Sequence, residues 1–360
     1  MPISVDSKKW GPDYVQGVSP SNPKHGMTWY DTTENHLKTY NGNTSSWVNT
    51  PAIVYQGIEY GYNMGGNNTG VSYSSIDRIL FPFDSGTASN VGSLNQNIIN
   101  QASCNSTNYA FCLGGYGYTA ADNLSSIERF QFPLDSGSAS IVGNLNNSAR
   151  YKQGFNSSIH GYATGGNNGT IRSYMDRILF PFNSGTSTNI GILTNSRQLS
   201  ASCNCTNYGF TMAGYDGVVR VSTVDRILFP HDSGTASNVG NLSSIRNSTP
   251  GCNSTNYGFT MAGHNTTGWQ STIDRMTFPF DSGNASHVGN VTGTRYLAAA
   301  CNSTNHGFCL GGYPVSTVIS IIERIVFPFD SGTASNVGNL SASKSSSAGI
   351  DGVDFASQFV

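Results

Sequence analysis

Four kinds of side chain in this sequence could do chemistry, and they fall at regular intervals. Aromatic, amide and acidic residues follow a Gly-Gly or Ala-Gly doublet: Tyr116 and Tyr118, Tyr215 and Asp216, His264 with Trp269, and Tyr313. An aromatic face offers a surface on which sugar CH groups stack, and a neighbouring amide or carboxylate bonds hydroxyls. The set therefore points to carbohydrate binding; the competing reading is surface loops that vary without a ligand. An acid followed by Arg recurs at Asp77-Arg78, Glu128-Arg129, Asp176-Arg177, Asp225-Arg226, Asp274-Arg275 and Glu323-Arg324. Neighbouring strand residues face opposite ways, so such a pair cannot serve one ligand. Arg78, Arg129, Arg177, Arg226, Arg275 and Arg324, with Asp77 and Asp225, are read as scaffold residues, each Arg bonding a carboxylate or carbonyl of the adjacent unit.

Cysteine and histidine add no catalytic centre. Cys104, Cys203, Cys252 and Cys301 share one repeat position, and Cys112 and Cys309 another. Small thiols at fixed positions suit tight packing. Zinc-ligand spacing is absent, so no metal is expected. His160 and His306 stand where other repeats carry Tyr. No Gly-x-Ser-x-Gly, His-Glu-x-x-His or P-loop occurs. The reading is a non-enzyme without a cofactor.

The elements that must position these residues are repeats. The acid-Arg pairs are 51, 48, 49, 49 and 49 residues apart. Each unit holds four strand-length blocks bounded by Gly, Asn, Ser or Pro, and Tyr257, Phe259 and Met261 show the period of two of a strand. Four strands in about 49 residues predict a blade of a β-propeller, and the chain an all-β fold. Composition agrees. The 360 residues include 42 Gly and 38 Asn but only 6 Lys, and charged residues make up 11%. Such a surface is poor in helix formers. A net charge of −2 offers no basic footprint for nucleic acid. No apolar run reaches the length needed to insert in a membrane, and the first 17 residues read as no secretory signal.

The unit resembles a kelch repeat. It carries the doublet ending the second strand (Gly65-Gly66, Gly114-Gly115, Gly165-Gly166, Gly311-Gly312, relaxed to Ala-Gly in two copies) and a basic series read as Arg150, Arg197, Arg246, Arg295 and Lys344. The Trp usual in the fourth strand of kelch repeats is missing from the full copies. Asp84 to Thr87 bears a faint likeness to the Asp box of sialidase propellers, without its Trp.

Ring closure is read from strand counting. Ile350-Asp351 matches Cys301-Asn302, so residues 348–360 supply inner strands, and residues 28–50, with Trp47, resemble outer strands. The prediction is seven blades: six full repeats over 51–347 and a closing blade split between 28–50 and 348–360. The alternative is six blades plus a small N-terminal β module.

Residues 21–48, which read Pro-x-x-Gly-Met-Thr-Trp-Tyr-Asp-Thr-Thr from Pro23, resemble a segment common near the N-terminus of bacteriophage tail-fibre and other virion structural proteins. That resemblance implies a virion protein made in a host cytoplasm. Its partners would be other virion structural proteins and a host-surface glycan, and self-association into a homo-oligomer is compatible. Residues 1–27 read as an extended arm, with Trp10 and Tyr14 as docking residues. The alternative is a cellular lectin or interaction propeller.

Overall fold

The computed structural model describes residues 14–16, 19–25, 27–31, 36–49, 58–119 and 121–354. Among them there is no helix. The chain divides into two compact units, Met1–Gln56 and Gly57–Val360.

The larger unit contains six four-stranded antiparallel sheets, each the blade of a β-propeller. Blade 1 joins Ala348–Asp354 to Ile58–Met64, Ser75–Leu80 and Ser89–Ser93. Blade 2 runs from Ala102–Asn105 through Tyr109–Gly117 and Asp122–Gln131 to Ser140–Asn144, with Ile98–Ile99 added beside its second strand. Blade 3 is Gln153–Asn156, His160–Thr164, Tyr174–Leu179 and Thr188–Ile192. Blade 4 is Ala201–Asn204, Tyr208–Tyr215, Arg220–Leu228 and Ser237–Asn241. Blade 5 is Gly251–Asn253, Tyr257–Asn265, Gly268–Thr277 and Ser286–Arg295. Blade 6 is Ala299–Asn302, His306–Leu310, Ile321–Val326 and Ser335–Asn339.

The expected split closing blade is corrected here. Ala348–Asp354 does form an inner strand, but it pairs along its whole length with Ile58–Met64, from Ala348↔Met64 to Asp354↔Ile58. Residues 28–49 are not its outer strands. Thr28–Asp31, His36–Asn41 and Ser46–Asn49 form their own sheet with Tyr14–Gln16, which pairs in parallel with Thr28–Asp31. The arrangement is the six-sheet alternative. The physical reason is pairing: the inner edge of Ile58–Met64 is filled by Ala348–Asp354. Part of the expected arm, Tyr14–Gln16, is thus a sheet strand. Trp10 and the further strand expected at 355–360 lie outside the described residues. In the small sheet Trp47 packs edge-on against Trp29 and Tyr40, with ring centroids 5.4 and 5.3 Å apart.

A cycle of six backbone hydrogen bonds runs around the axis of the larger unit. Asn100 N–H donates to the Ser346 carbonyl (2.8 Å), Tyr151 to Asn100 (2.8 Å) and Leu199 to Tyr151 (3.2 Å). Ser248 donates to Leu199 (2.7 Å), Leu297 to Ser248 (3.0 Å) and Ser346 to Leu297 (2.8 Å). All six residues are left-handed, with φ between 55° and 61°. Below this cycle the inner strands come very close. Ser103, Gly154, Ser202, Gly251, Ala300 and Gly349 hold one position in successive blades. A Cβ on Gly154 or Gly349 would lie 2.1 Å from the carbonyl oxygen of Ser103 or Ala300. Glycine alternates with a small side chain because only one of two neighbouring strands has room for a Cβ.

Three further contacts repeat at the seams. First, aromatic rings stack between blades: Phe81 on Phe308, Phe132 on Tyr62, Phe180 on Phe111, Phe229 on Tyr162, Phe278 on Phe210 and Phe327 on Phe259, with centroids 4.8 to 5.5 Å apart. Second, the Arg of each acid-Arg pair crosses to the next blade. Arg78 bonds the Asp135 carboxylate and the Leu134 carbonyl, and Arg177 bonds Asp232 and the His231 carbonyl. Arg226, Arg275 and Arg324 do the same with Asp281, Asp330 and Asp84, while Arg129 meets Asn183. The acid ends are exposed, so each pair is worth little by itself. Third, Cys104, Cys203, Cys252 and Cys301 point their sulfurs at Gly161, Gly258, Gly307 and Gly61 of the following blade. In blade 3 the same position is Phe155, whose ring lies against Gly209 of blade 4.

The acid of each pair is buried, and its environment differs among blades. Asp225 is held by Arg197, Asp274 by Arg246 and Glu323 by Arg295, with all six side chains buried. Lys344 pairs with Asp77 and Lys152 with Asp176, both at 3.0 Å. Each acid except Asp176 also accepts a backbone N–H from the segment entering its blade, at Ser341, Asn95, Thr194, Ser243 or Thr292. The basic series is corrected in blade 3: Lys152, not Arg150, supplies the buried cation. Glu128 has no cation among the described residues. Burial raises its carboxyl above the usual range, opposed by the Asn95 N–H.

Two measurements check these contacts. Asp225→Asn strips a buried guanidinium of its counter-charge and should lower stability by about 3–5 kcal/mol. Glu128→Gln keeps the acceptor for Asn95 and removes an unpaired charge, so denaturant midpoints at pH 7.5 should be unchanged or higher. Burial also pushes the six buried thiols up, Cys309 to about 12. Of the seven free cysteines only Cys205 is not buried. Native protein should titrate one thiol per chain with a disulfide reagent, and seven in denaturant.

Candidate functional site

The segments that leave each fourth strand and the hairpins joining second to third strands meet on one face of the blades. Isolated bridges tie them: Asn67↔Ser345, Arg150↔Asn167, Gln198↔Tyr215, Asn247↔His264 and Tyr296↔Tyr313. Most of the predicted sugar-binding residues sit on or beside these bridges, and the structure does not unite them all.

His264, Trp269 and Tyr313 are brought together by a residue that sequence reasoning missed, Tyr296. Its ring stacks on Trp269 (6.1 Å between centroids, 27° between planes), lies 5.9 Å from His264 and meets Tyr313 edge-on at 5.6 Å. The cluster spans blades 5 and 6. Arg220 closes one side, with its Nη2 2.6 Å from His264 Nδ1 and its Nε bonded to Asn247. Burial and the adjacent guanidinium hold the imidazole below its ordinary pKa. Since Arg only donates, Nδ1 is the acceptor and the ring is neutral at pH 7. The arrangement is a partly buried aromatic floor with an amide and a guanidinium on its rim.

The other predicted residues stand apart from it. Tyr215 donates its hydroxyl to the Gly217 carbonyl at 2.8 Å. Asp216 accepts the Val218 and Val219 amides at 2.8 and 2.7 Å, and these bonds hold its carboxyl below the usual range. Both therefore build the hairpin tip, which exposes Val218. Tyr118 is exposed and donates to the Gly70 carbonyl of blade 1 at 3.2 Å. Tyr116 is half-buried, and the Arg150 guanidinium lies over its ring at 5.0 Å. The signal that could have found Tyr296 is its place directly after Arg295: the same step after Arg197 and Arg246 gives Gln198 and Asn247, which bridge to Tyr215 and His264.

The axis holds two cavities, of about 200 and 610 Å³. They share Asn105, Asn156, Asn204, Asn253, Asn302 and Asp351, one residue from each inner strand. Amide side chains link neighbouring strands: Asn156 Oδ1 accepts from Asn105 N at 3.3 Å, Asn253 from Asn204 at 3.3 Å and Asn302 from Asn253 at 3.1 Å. The Asn302 N–H bonds the Asp351 carboxylate instead. The larger cavity is lined by the Ser and Thr residues that follow each Asn, so these Asn-x-Ser/Thr triplets build the inner-strand turns. Glu59 also lines it and accepts from Thr304 N (3.2 Å) and Oγ1 (2.5 Å). Acid thus replaces Asn twice in blade 1, at Asp351 and at Glu59. Burial, then Glu59, raises the Asp351 carboxyl to about 7. No family model matches the chain, and no curated protein matches it.

A carboxyl raised by folding binds its proton more tightly in the native state. Its unfavourable contribution is absent below the unfolded value near 4, grows as pH rises toward 7, and is complete above that. Asp351→Asn should therefore stabilise the protein at pH 8 by about 1–2 kcal/mol, since the carboxyl also faces the open channel, and change nothing at pH 4. Thermal melts across this range check the sign.

Proposed function

We propose that this chain is a non-enzymatic bacteriophage virion structural protein. It is a propeller on a fibre, spike or capsid or tail surface that attaches to host-surface carbohydrate, or contacts another virion protein, through its loop face. The observation that carries this reading is the Trp269–Tyr296–Tyr313–His264 cluster on that face. The scaffold leaves little else to recognise a ligand, because nine of its arginines are engaged within or between blades. The resemblance of residues 21–48 to virion proteins supports the setting. A cellular lectin or interaction propeller is the alternative, and imaging of the source particle separates the two.

Purified chain on a glycan array is the direct test. Binding without release of free sugar is expected, and Trp269→Ala with Tyr296→Ala should weaken it by about tenfold or more, as removing buried aromatic anchors does. Density for the propeller on the particle surface is expected by electron cryo-microscopy. Sugar turnover, or absence from the particle with full activity as a free lectin, overturns the virion reading.

A further inference from the structure

The twelve arginines sort by what accepts their hydrogens. Six reach across to the next blade, and Arg197, Arg246 and Arg295 are buried against acids. Arg172 bonds Asn168, and Arg220 bonds Asn247 and His264. Arg150 alone has no hydrogen-bonded acceptor among the described residues, and its Nε is buried without a partner. It is not part of the buried basic series. Its backbone bridges to Asn167, which puts it in register with Gln198, Asn247 and Tyr296 on the loop face. The position before it is Ala149, and Lys152 neutralises the buried acid of that blade.

The surroundings of Arg150 fix it without neutralising it. Its guanidinium lies over the Tyr116 ring at 5.0 Å and the Tyr151 ring at 5.3 Å. The rings hold the plane of the fork by cation–π contact and leave its donors unspent. The carboxylate on the facing hairpin, Asp122, accepts from the Asn123 amide at 2.7 Å. Tyr151 also lines the upper axial cavity, and Tyr118 stands exposed on the hairpin that carries Tyr116. A planar, fixed fork with open donors matches the two oxygens of a carboxylate or phosphate. Holding it before the ligand arrives lowers the ordering cost of binding.

We propose that Arg150, framed by Tyr116 and Tyr151, is a receptor for an anionic group, carboxylate or phosphate, on the glycan that the loop face binds. This rests on the attachment reading above and narrows it to acidic surface polymers. The probes are an oligogalacturonate, a glycerol-phosphate oligomer and a neutral galactose oligomer of equal length, titrated calorimetrically into the full chain.

Binding of one anionic probe, weaker at higher salt, with little binding of the neutral one, is the expected result. The bound probe identifies which anion source is used. Arg150→Gln should weaken that binding by about tenfold or more. Arg150→Lys, which keeps the charge and loses the fork, should recover only part of it. Arg172→Gln controls for general charge and should change it by less than about twofold. Unchanged thermal melts establish that the variants are folded. Equal affinity for neutral and anionic probes, no effect of Arg150→Gln, or no binding of any probe overturns the proposal. If neutral glycans bind and depend on Trp269, the attachment reading survives that failure; if array binding is also absent, it falls too.

Discussion

Ring closure is the constraint on which everything else in the larger unit depends. A blade cannot bury both faces alone, and each seam contact described above takes one partner from each of two blades. The pairing of Ala348–Asp354 with Ile58–Met64 gives blade 1 its inner strand and delivers Ser346 to the axial cycle of hydrogen bonds. It also places Lys344 against Asp77 and Asp351 against Asn302. A chain lacking this strand would leave a sheet edge and a buried acid without partners.

The seams consume most of the charge that the sequence offers. Buried acids meet buried cations, and exposed acids on the Asp-Ser-Gly turns receive the Arg of the preceding blade. What remains lies where the blades depart from the repeat. Arg150, Arg172 and Arg220 lie on the loop face, beside the aromatic residues. Glu59 and Asp351 line the large axial cavity, whose wall has no cationic side chain among the described residues. The repeat is thus a neutral frame, and its departures from regularity give the two ends of the axis different chemistry.

Those departures were legible to different degrees. The loop aromatics stood out because they broke the repeat, but which of them meet depends on blade order and strand ends. Trp269 and Tyr313 meet through Tyr296, which lies directly after Arg295 and outside the loops that follow the Gly doublets. Arg150 was misread for a related reason. The step from Arg150 to Arg197 is 47 residues where its neighbours are 49. Its bridge to Asn167 puts Arg150 in register with Gln198, one position past the buried Arg197, and Lys152 supplies the buried cation instead.

The sequence by itself determined the repeat, its four-stranded unit and the all-β class, because strand periodicity and turn residues are local and recur six times. It also pointed to an inner strand beginning at residue 348, which Ala348–Asp354 forms. Only the tertiary structure decided where that strand pairs, since hydrogen-bond partners nearly three hundred residues apart leave no periodic trace. The same holds for the cluster around Tyr296 and for the Arg150 guanidinium between Tyr116 and Tyr151. Local pattern states what a residue can do, while its partners are set by which blades close on one another.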